Sequence, residues 1–198
     1  MFTGIVECVG KILEIKEDRT NLEFFIDAPF LEEIKVDQSI AHNGVCLTVT
    51  SIEKNRYSVT AIQETLNKTN LGNLKVGNLI NLERCMLMNG RIDGHIVQGH
   101  VDQTGICNLV VEQNGSWLFD FSYDASSKNM TVEKGSICVN GVSLTVVGST
   151  NNSFSVAIIP YTYEHTCFKE IKMGDSVNLE FDILGKYIVK LLGNKLNL

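Results

Sequence analysis

The chain reads as an all-β protein in which one small domain is written twice, followed by a C-terminal helix. Three observations predict this. The second half repeats the first at a nearly constant offset, short period-two segments recur through both halves, and the last residues switch to helical spacing.

The repeat is visible residue by residue. Ser39–Val49 and Ser136–Val146 agree at 8 of 11 positions at an offset of 97. The same offset pairs Thr65 with Thr162 and Thr69 with Thr166, then Gly77, Asn81, Leu82 and Glu83 with Gly174, Asn178, Leu179 and Glu180. Near the start of each copy the offset is 95, matching Gly4, Val6 and Gly10 to Gly99, Val101 and Gly105, so two residues have entered an early loop of the second copy. A chain of 198 residues can bury one good core or two small ones, and the repeat decides for two.

Strands follow from alternation. Leu22, Phe24 and Ile26, and their counterparts Phe119, Phe121 and Tyr123, place apolar side chains on one face. Similar segments, such as Tyr57–Ala61 and Val177–Phe181, are separated by Gly, Asn and Lys turns, which predicts a compact barrel or sandwich in each half. In the tail, Leu184, Tyr187, Ile188, Leu191 and Leu192 form one stripe of a helix that Asp182 caps. The stripe fits two readings, packing onto its own barrel and pairing with other chains.

Composition narrows the function. The formal net charge is -6 with scattered Lys and Arg, which disfavours a nucleic-acid partner. The N-terminus carries no cationic segment followed by an apolar stretch, and no run is long enough to span a bilayer; we expect a cytosolic protein with no membrane partner. The six cysteines have at least 21 residues between neighbours, so neither a zinc pair nor a disulfide framework is expected.

Two segments offer chemistry. Asn43-Gly44-Val45-Cys46-Leu47-Thr48 and its twin Asn140-Gly141-Val142-Ser143-Leu144-Thr145 each place a glycine turn before a strand bearing small polar groups, suited to a flat, hydrogen-bonding ligand. Taken singly, each reads as a plain turn and strand. The differences Cys46/Ser143 and His42/Val139 predict two similar pockets of unequal chemistry. His95 and His100 lie in the join between copies. An odd separation would send them to opposite faces of a strand, which argues against a metal site. His95 reads as a turn or interface hydrogen bond, while His100 fits an acid/base role as well as a structural one. Cys46 reads either as a nucleophile or as a buried structural thiol.

With these residues in view, Met1-Phe-Thr-Gly-Ile-Val6, the blocks at 42–50, 81–84, 94–102 and 140–146, and Asp182-Ile-Leu-Gly-Lys-Tyr187 together resemble riboflavin synthases of the alpha-chain type. The resemblance runs through essentially the whole chain in order. It implies tandem six-stranded closed β-barrels of Greek-key-like topology, over 1–94 and 95–183, with an oligomerisation helix over 184–198 that joins three chains. The implied reaction is a dismutation: two molecules of 6,7-dimethyl-8-ribityllumazine exchange a four-carbon unit, giving riboflavin and 5-amino-6-ribitylamino-uracil without cofactor or metal. Association with a lumazine synthase is left open.

The resemblance also assigns residues. Ligand contacts of the first barrel are expected from Gly4, Ile5, Val6, Cys46, Leu47, Thr48, Gln63, Glu64 and Thr65. Those of the second are expected from Gly99, His100, Val101, Lys134, Ser143, Leu144, Thr145, Pro160, Tyr161 and Thr162. The reactive pair would form between the first barrel of one subunit and the second barrel of a neighbour. Ser39, Cys46 and His100 would serve addition at C7 of one lumazine and proton removal from the C7 methyl of the other, with Ser143 and Thr145 binding the partner ring. One departure stands out: Asn140 occupies a position where many relatives carry Asp, and an amide cannot take up a proton as a carboxylate does.

Overall fold

The computed structural model describes residues 1–127 and 129–195, with the side chains of 193–195 outside the description. Residues 196–198 of the predicted tail lie outside it as well. The first copy contributes strands β1 (Cys8–Asp18), β2 (Asn21–Asp27), β3 (Ser39–His42), β4 (Val45–Glu53), β5 (Arg56–Ala61) and β6 (Leu79–Arg84), with helix α1 (Gln63–Lys68) before the last. The second copy contributes β7 (Gln103–Glu112), β8 (Trp117–Tyr123), β9 (Ser136–Val139), β10 (Val142–Ser149), β11 (Ser153–Ile158) and β12 (Ser176–Phe181), with α2 (Pro160–His165) in the equivalent place. Helix α3 (Ile183–Lys195) follows.

Each set closes into an antiparallel barrel with one topology, β1-β2-β5-β4-β3-β6 and its counterpart β7-β8-β11-β10-β9-β12. Closure removes the unpaired sheet edges that two open six-stranded sheets would expose. Even the irregularities repeat. The ladder slips between Ile12 and Glu14 and between Cys107 and Leu109, and again between Val49 and Ser51 and between Val146 and Gly148. Such bulges bend a strand sharply enough to turn a barrel corner. The first hairpin closes through Arg19-Thr20, whereas its twin uses 113–116, which accounts for the two inserted residues.

The cores are built from equivalent positions: Ile40, Val49, Val59, Ile80 and Leu82 in one barrel, Ile137, Val146, Val156, Val177 and Leu179 in the other. One pair of twins differs coherently. His42 is fully buried and its Nε2 lies 2.8 Å from the Tyr57 hydroxyl, while the second barrel has Val139 and Phe154 there. The His42/Val139 difference therefore concerns barrel interiors. It does not make two pockets unequal, as the sequence reading expected.

Strands β6 and β12 are buried on both faces, because their outer sides meet the opposite barrel. Asn81 donates from Nδ2 to the Asn140 carbonyl and Asn178 from Nδ2 to the Asn43 carbonyl, at 2.8 and 2.9 Å. The turns carrying Asn43-Gly44 and Asn140-Gly141 have positive φ throughout, the two-residue type that Asn and Gly favour between paired strands. Asn43 Oδ1 accepts from the Asn81 amide and Asn140 Oδ1 from the Asn178 amide. The interface is thus a pseudo-twofold network of amides, and Asn140 serves in it as a hydrogen-bond acceptor.

Candidate active site

The two segments expected to face ligand lie at the starts of β4 and β10. Cys46 and Ser143 are half-buried, Thr48 and Thr145 are exposed, and Ser39 opens β3 directly opposite Thr48. Gln63, Glu64 and Thr65 form the first turn of α1, and Pro160, Tyr161 and Thr162 that of α2. Both helices were missed in the sequence, since six residues are too few for a helical period to show. Before each helix stands an exposed isoleucine, Ile62 (53%) and Ile159 (60%), an apolar surface at the edge of each candidate site. The offset-97 Ile pair was the signal for it.

The loops are exchanged. The Ser143 amide donates to the Gly4 carbonyl at 2.7 Å, and Val6 packs against the second core. The Cys46 amide donates to the Gly99 carbonyl at 2.9 Å, and Val101 packs against the first core. Gly4, Ile5 and Val6 therefore belong to the Ser143 face, and Gly99, His100 and Val101 to the Cys46 face, the reverse of the expected grouping. The reason is steric as well as hydrogen-bonded. A Cβ on Gly4 would lie 2.6 Å from Ser143 Cβ, and one on Gly99 2.6 Å from Cys46 Cβ, so only glycine admits so close a crossing.

Buried carboxylates hold both loops. Glu83 accepts from the Thr3 amide, the Thr3 hydroxyl and the Gly4 amide at 2.6, 2.8 and 3.0 Å. Glu180 accepts from the amides of Gln98, Gly99 and His100 at 2.6, 2.9 and 2.9 Å. Burial pushes both carboxyls above the usual carboxylate range, opposed by these donors. Neither Glu was singled out from sequence, although an acid recurring in an apolar strand at offset 97 was there to be read.

The remaining candidates are differently placed. His95 Nδ1 lies 2.6 Å from Ser143 Oγ, and burial holds its imidazole below its ordinary pKa, the interface hydrogen bond expected of it. The segment carrying His95 and His100 is irregular, so the argument from strand faces does not apply to them. His100 is exposed, and its backbone is the part gripped by Glu180. Burial raises the Cys46 thiol pKa, with the Ser39 hydroxyl beside it opposing, so the thiol is protonated at neutral pH. Lys134 sits in the turn before β9, its φ positive and its amide donating to the Val146 carbonyl. A cavity of about 600 Å³ opens beside the first barrel and gathers Ser39 and Ile5 with Thr3, Arg84 and Arg91.

Twin barrels with exchanged loops, each presenting a short polar strand beside a helix turn, define a protein of paired ligand-binding domains. The lumazine binding domain profile matches twice, over residues 3–85 and 98–182. The chain is 45% identical to riboflavin synthase of Actinobacillus pleuropneumoniae, covering 98% of this chain and 91% of that protein. It is 41% identical to that of Bacillus subtilis (strain 168), over 97% and 90%, and 37% identical to that of Escherichia coli (strain K12), over 92% and 87%. The chain belongs to the riboflavin synthase family. Among solved structures, LumP complexed with riboflavin superposes with a TM-score of 0.85 at 22% identity, covering 91% of this chain and 99% of that one, a likeness of fold.

Proposed function

We propose that the chain is a riboflavin synthase, converting two molecules of 6,7-dimethyl-8-ribityllumazine to riboflavin and 5-amino-6-ribitylamino-uracil, the last step of riboflavin biosynthesis, in the cytosol and without cofactor or metal. The observation that carries this is the pair of equivalent faces differing at Cys46 and Ser143. A reaction between two copies of one compound needs two like sites that hold the rings together, and positioning of this kind is worth up to ~7–11 kcal/mol. One copy gives carbons and the other receives them, so the sites must also be unequal.

In this reading one lumazine rests on Cys46, Leu47, Thr48, Gln63, Glu64 and Thr65 with Gly99, His100 and Val101. The other rests on Ser143, Leu144, Thr145, Pro160, Tyr161 and Thr162 with Gly4, Ile5, Val6 and Lys134. Ser39, Cys46 and His100 serve addition at C7 of the first ring and proton removal from the C7 methyl of the second, whose anion the ring delocalises; modest bases in good position suffice. Cys46 acts as a neutral donor. Ser143, oriented by His95, and Thr145 bind the second ring.

We place the reactive pair between the first barrel of one subunit and the second barrel of its neighbour in a homotrimer. Support comes from α3, where Leu184, Tyr187, Ile188, Leu191 and Leu192 are all more than half exposed. A helix with that much apolar surface calls for a partner. A crystal soaked with a non-reacting lumazine analogue tests the arrangement. We expect two analogues stacked between neighbouring chains; analogues held singly in isolated barrels, far from one another, contradict it.

A further inference from the structure

Glu83 and Glu180 stand on β6 and β12, not on the strands β4 and β10 that carry Cys46 and Ser143, yet each makes three hydrogen bonds to a loop that crosses one of those strands. The connection runs from one barrel to the other. Glu83, on β6 of the first barrel, fixes Thr3 and Gly4, and the Gly4 carbonyl then meets the Ser143 amide of the second barrel. Glu180, on β12 of the second barrel, fixes Gln98, Gly99 and His100, and the Gly99 carbonyl meets the Cys46 amide of the first.

We infer that Glu83 and Glu180 are positioning residues that act crosswise: the carboxylate of each barrel shapes the ligand site of the other. This rests on the lumazine sites proposed above. A carboxylate suits the task because its two oxygens accept all three donors with no donor of its own. A glutamine keeps the size but turns one acceptor into an NH2 group facing an N–H, so the loop loses its grip. The Gly4 and Gly99 carbonyls then drift from the Ser143 and Cys46 amides, and the site that each loop walls is loosened. In each case the loosened site is on the barrel that was not altered. The same geometry makes each site sensitive to the integrity of both barrels, which suits a reaction needing both sites filled at once.

The test uses the full chain, as Glu83→Gln and Glu180→Gln. Amide hydrogen exchange is read at Ser143 and Cys46, and riboflavin binding is titrated by fluorescence. Glu83→Gln should speed exchange at Ser143 by about tenfold and leave Cys46 nearly unchanged, with weakened riboflavin binding confined to the second barrel; Glu180→Gln should do the reverse. Thr3→Val removes one donor to Glu83 and keeps the carboxylate. It should raise exchange at Ser143 alone, by less, and supplies the result should a glutamine variant fail to fold. Faster exchange in the altered barrel, in both equally, or in neither overturns the inference. Crossed exchange with both riboflavin affinities unchanged overturns it too, because the carboxylates then serve no ligand site. Turnover of the lumazine by the unaltered chain, measured separately, decides the reading beneath it.

Discussion

Gly44 and Gly141 stand back to back where the two barrels meet, so close that a Cβ on Gly44 would lie 2.8 Å from the Gly141 nitrogen, and one on Gly141 equally close to the Gly44 nitrogen. The atoms in the way are backbone, so only a shift of one barrel against the other relieves the contact. Gly77 provides a comparison, since its φ is likewise positive (+92°) but nothing lies within 4 Å of its Cβ position. Gly77→Ala should cost about 1 kcal/mol of stability, the conformational part alone. Gly44→Ala should cost about 1–3 kcal/mol more and reduce turnover as well. Urea unfolding of both variants checks this, and equal losses would deny the tight barrel contact.

The His42–Tyr57 pair makes stability depend on pH. Burial lowers the His42 pKa from 6.5 to about 4. Above pH 6.5 the ring is neutral in folded and unfolded chains and contributes nothing to the dependence. Below it the unfolded chain takes up a proton that the folded chain refuses, so stability falls as pH drops and levels off near pH 4, a loss of about 3 kcal/mol in all. Glu83 and Glu180 act in the opposite sense: their raised carboxyls favour the folded state below pH 4.5, and this contribution fades as pH rises above it. His95, also held below its ordinary pKa by burial, adds to the same slope as His42. The difference in unfolding free energy between the protein and His42→Gln across pH 7 to 5 therefore reads the His42 share, and the slope should flatten in the variant.

The same pair can be moved between barrels. His42→Val leaves the Tyr57 hydroxyl buried without its partner, at a cost of about 1–3 kcal/mol. Adding Tyr57→Phe recreates the Val139–Phe154 arrangement of the second barrel and should recover part of that loss. A thermal melt of the single and double variants decides it; additive losses would show that the twin positions are not interchangeable.

Cys46→Ala and His100→Ala should leave riboflavin binding within a few-fold and lower kcat. Since the Cys46 thiol is protonated at neutral pH, Cys46→Ser should lose less than Cys46→Ala. Steady-state kinetics separates these outcomes. A Cys46→Ser variant as impaired as the alanine would point to the thiolate as nucleophile.

The exposed stripe on α3 predicts self-association. Leu191→Glu together with Ile188→Glu should convert a particle of about three chains into single chains, with turnover falling alongside. Sedimentation equilibrium measures the first and a coupled assay the second. Full turnover by single chains would remove the reactive site from between subunits.

Much of the fold was legible in sequence because duplication printed it twice: the blocks around Asn43 and Asn140, and the offset change from 95 to 97, gave two domains and even the lengthened hairpin. The exchange of Gly4 and Gly99 was not legible. An internal alignment says which residues are equivalent, and says nothing about which barrel each one touches. Glu83 and Glu180 were hidden for a related reason. Alternation along β6 and β12 implies one buried face, whereas both are buried, the second against the other barrel. The bond between His42 and Tyr57 crosses a barrel interior between residues 15 positions apart, a contact that comparison of the twin segments does not reveal.

In the proposed function two identical lumazines react with each other on twin, unequal sites. Purified protein incubated with 6,7-dimethyl-8-ribityllumazine alone, its products resolved by chromatography, tests this directly. We predict one riboflavin and one 5-amino-6-ribitylamino-uracil for every two lumazines consumed. Tight binding of a single lumazine per chain with no riboflavin formed would contradict the account.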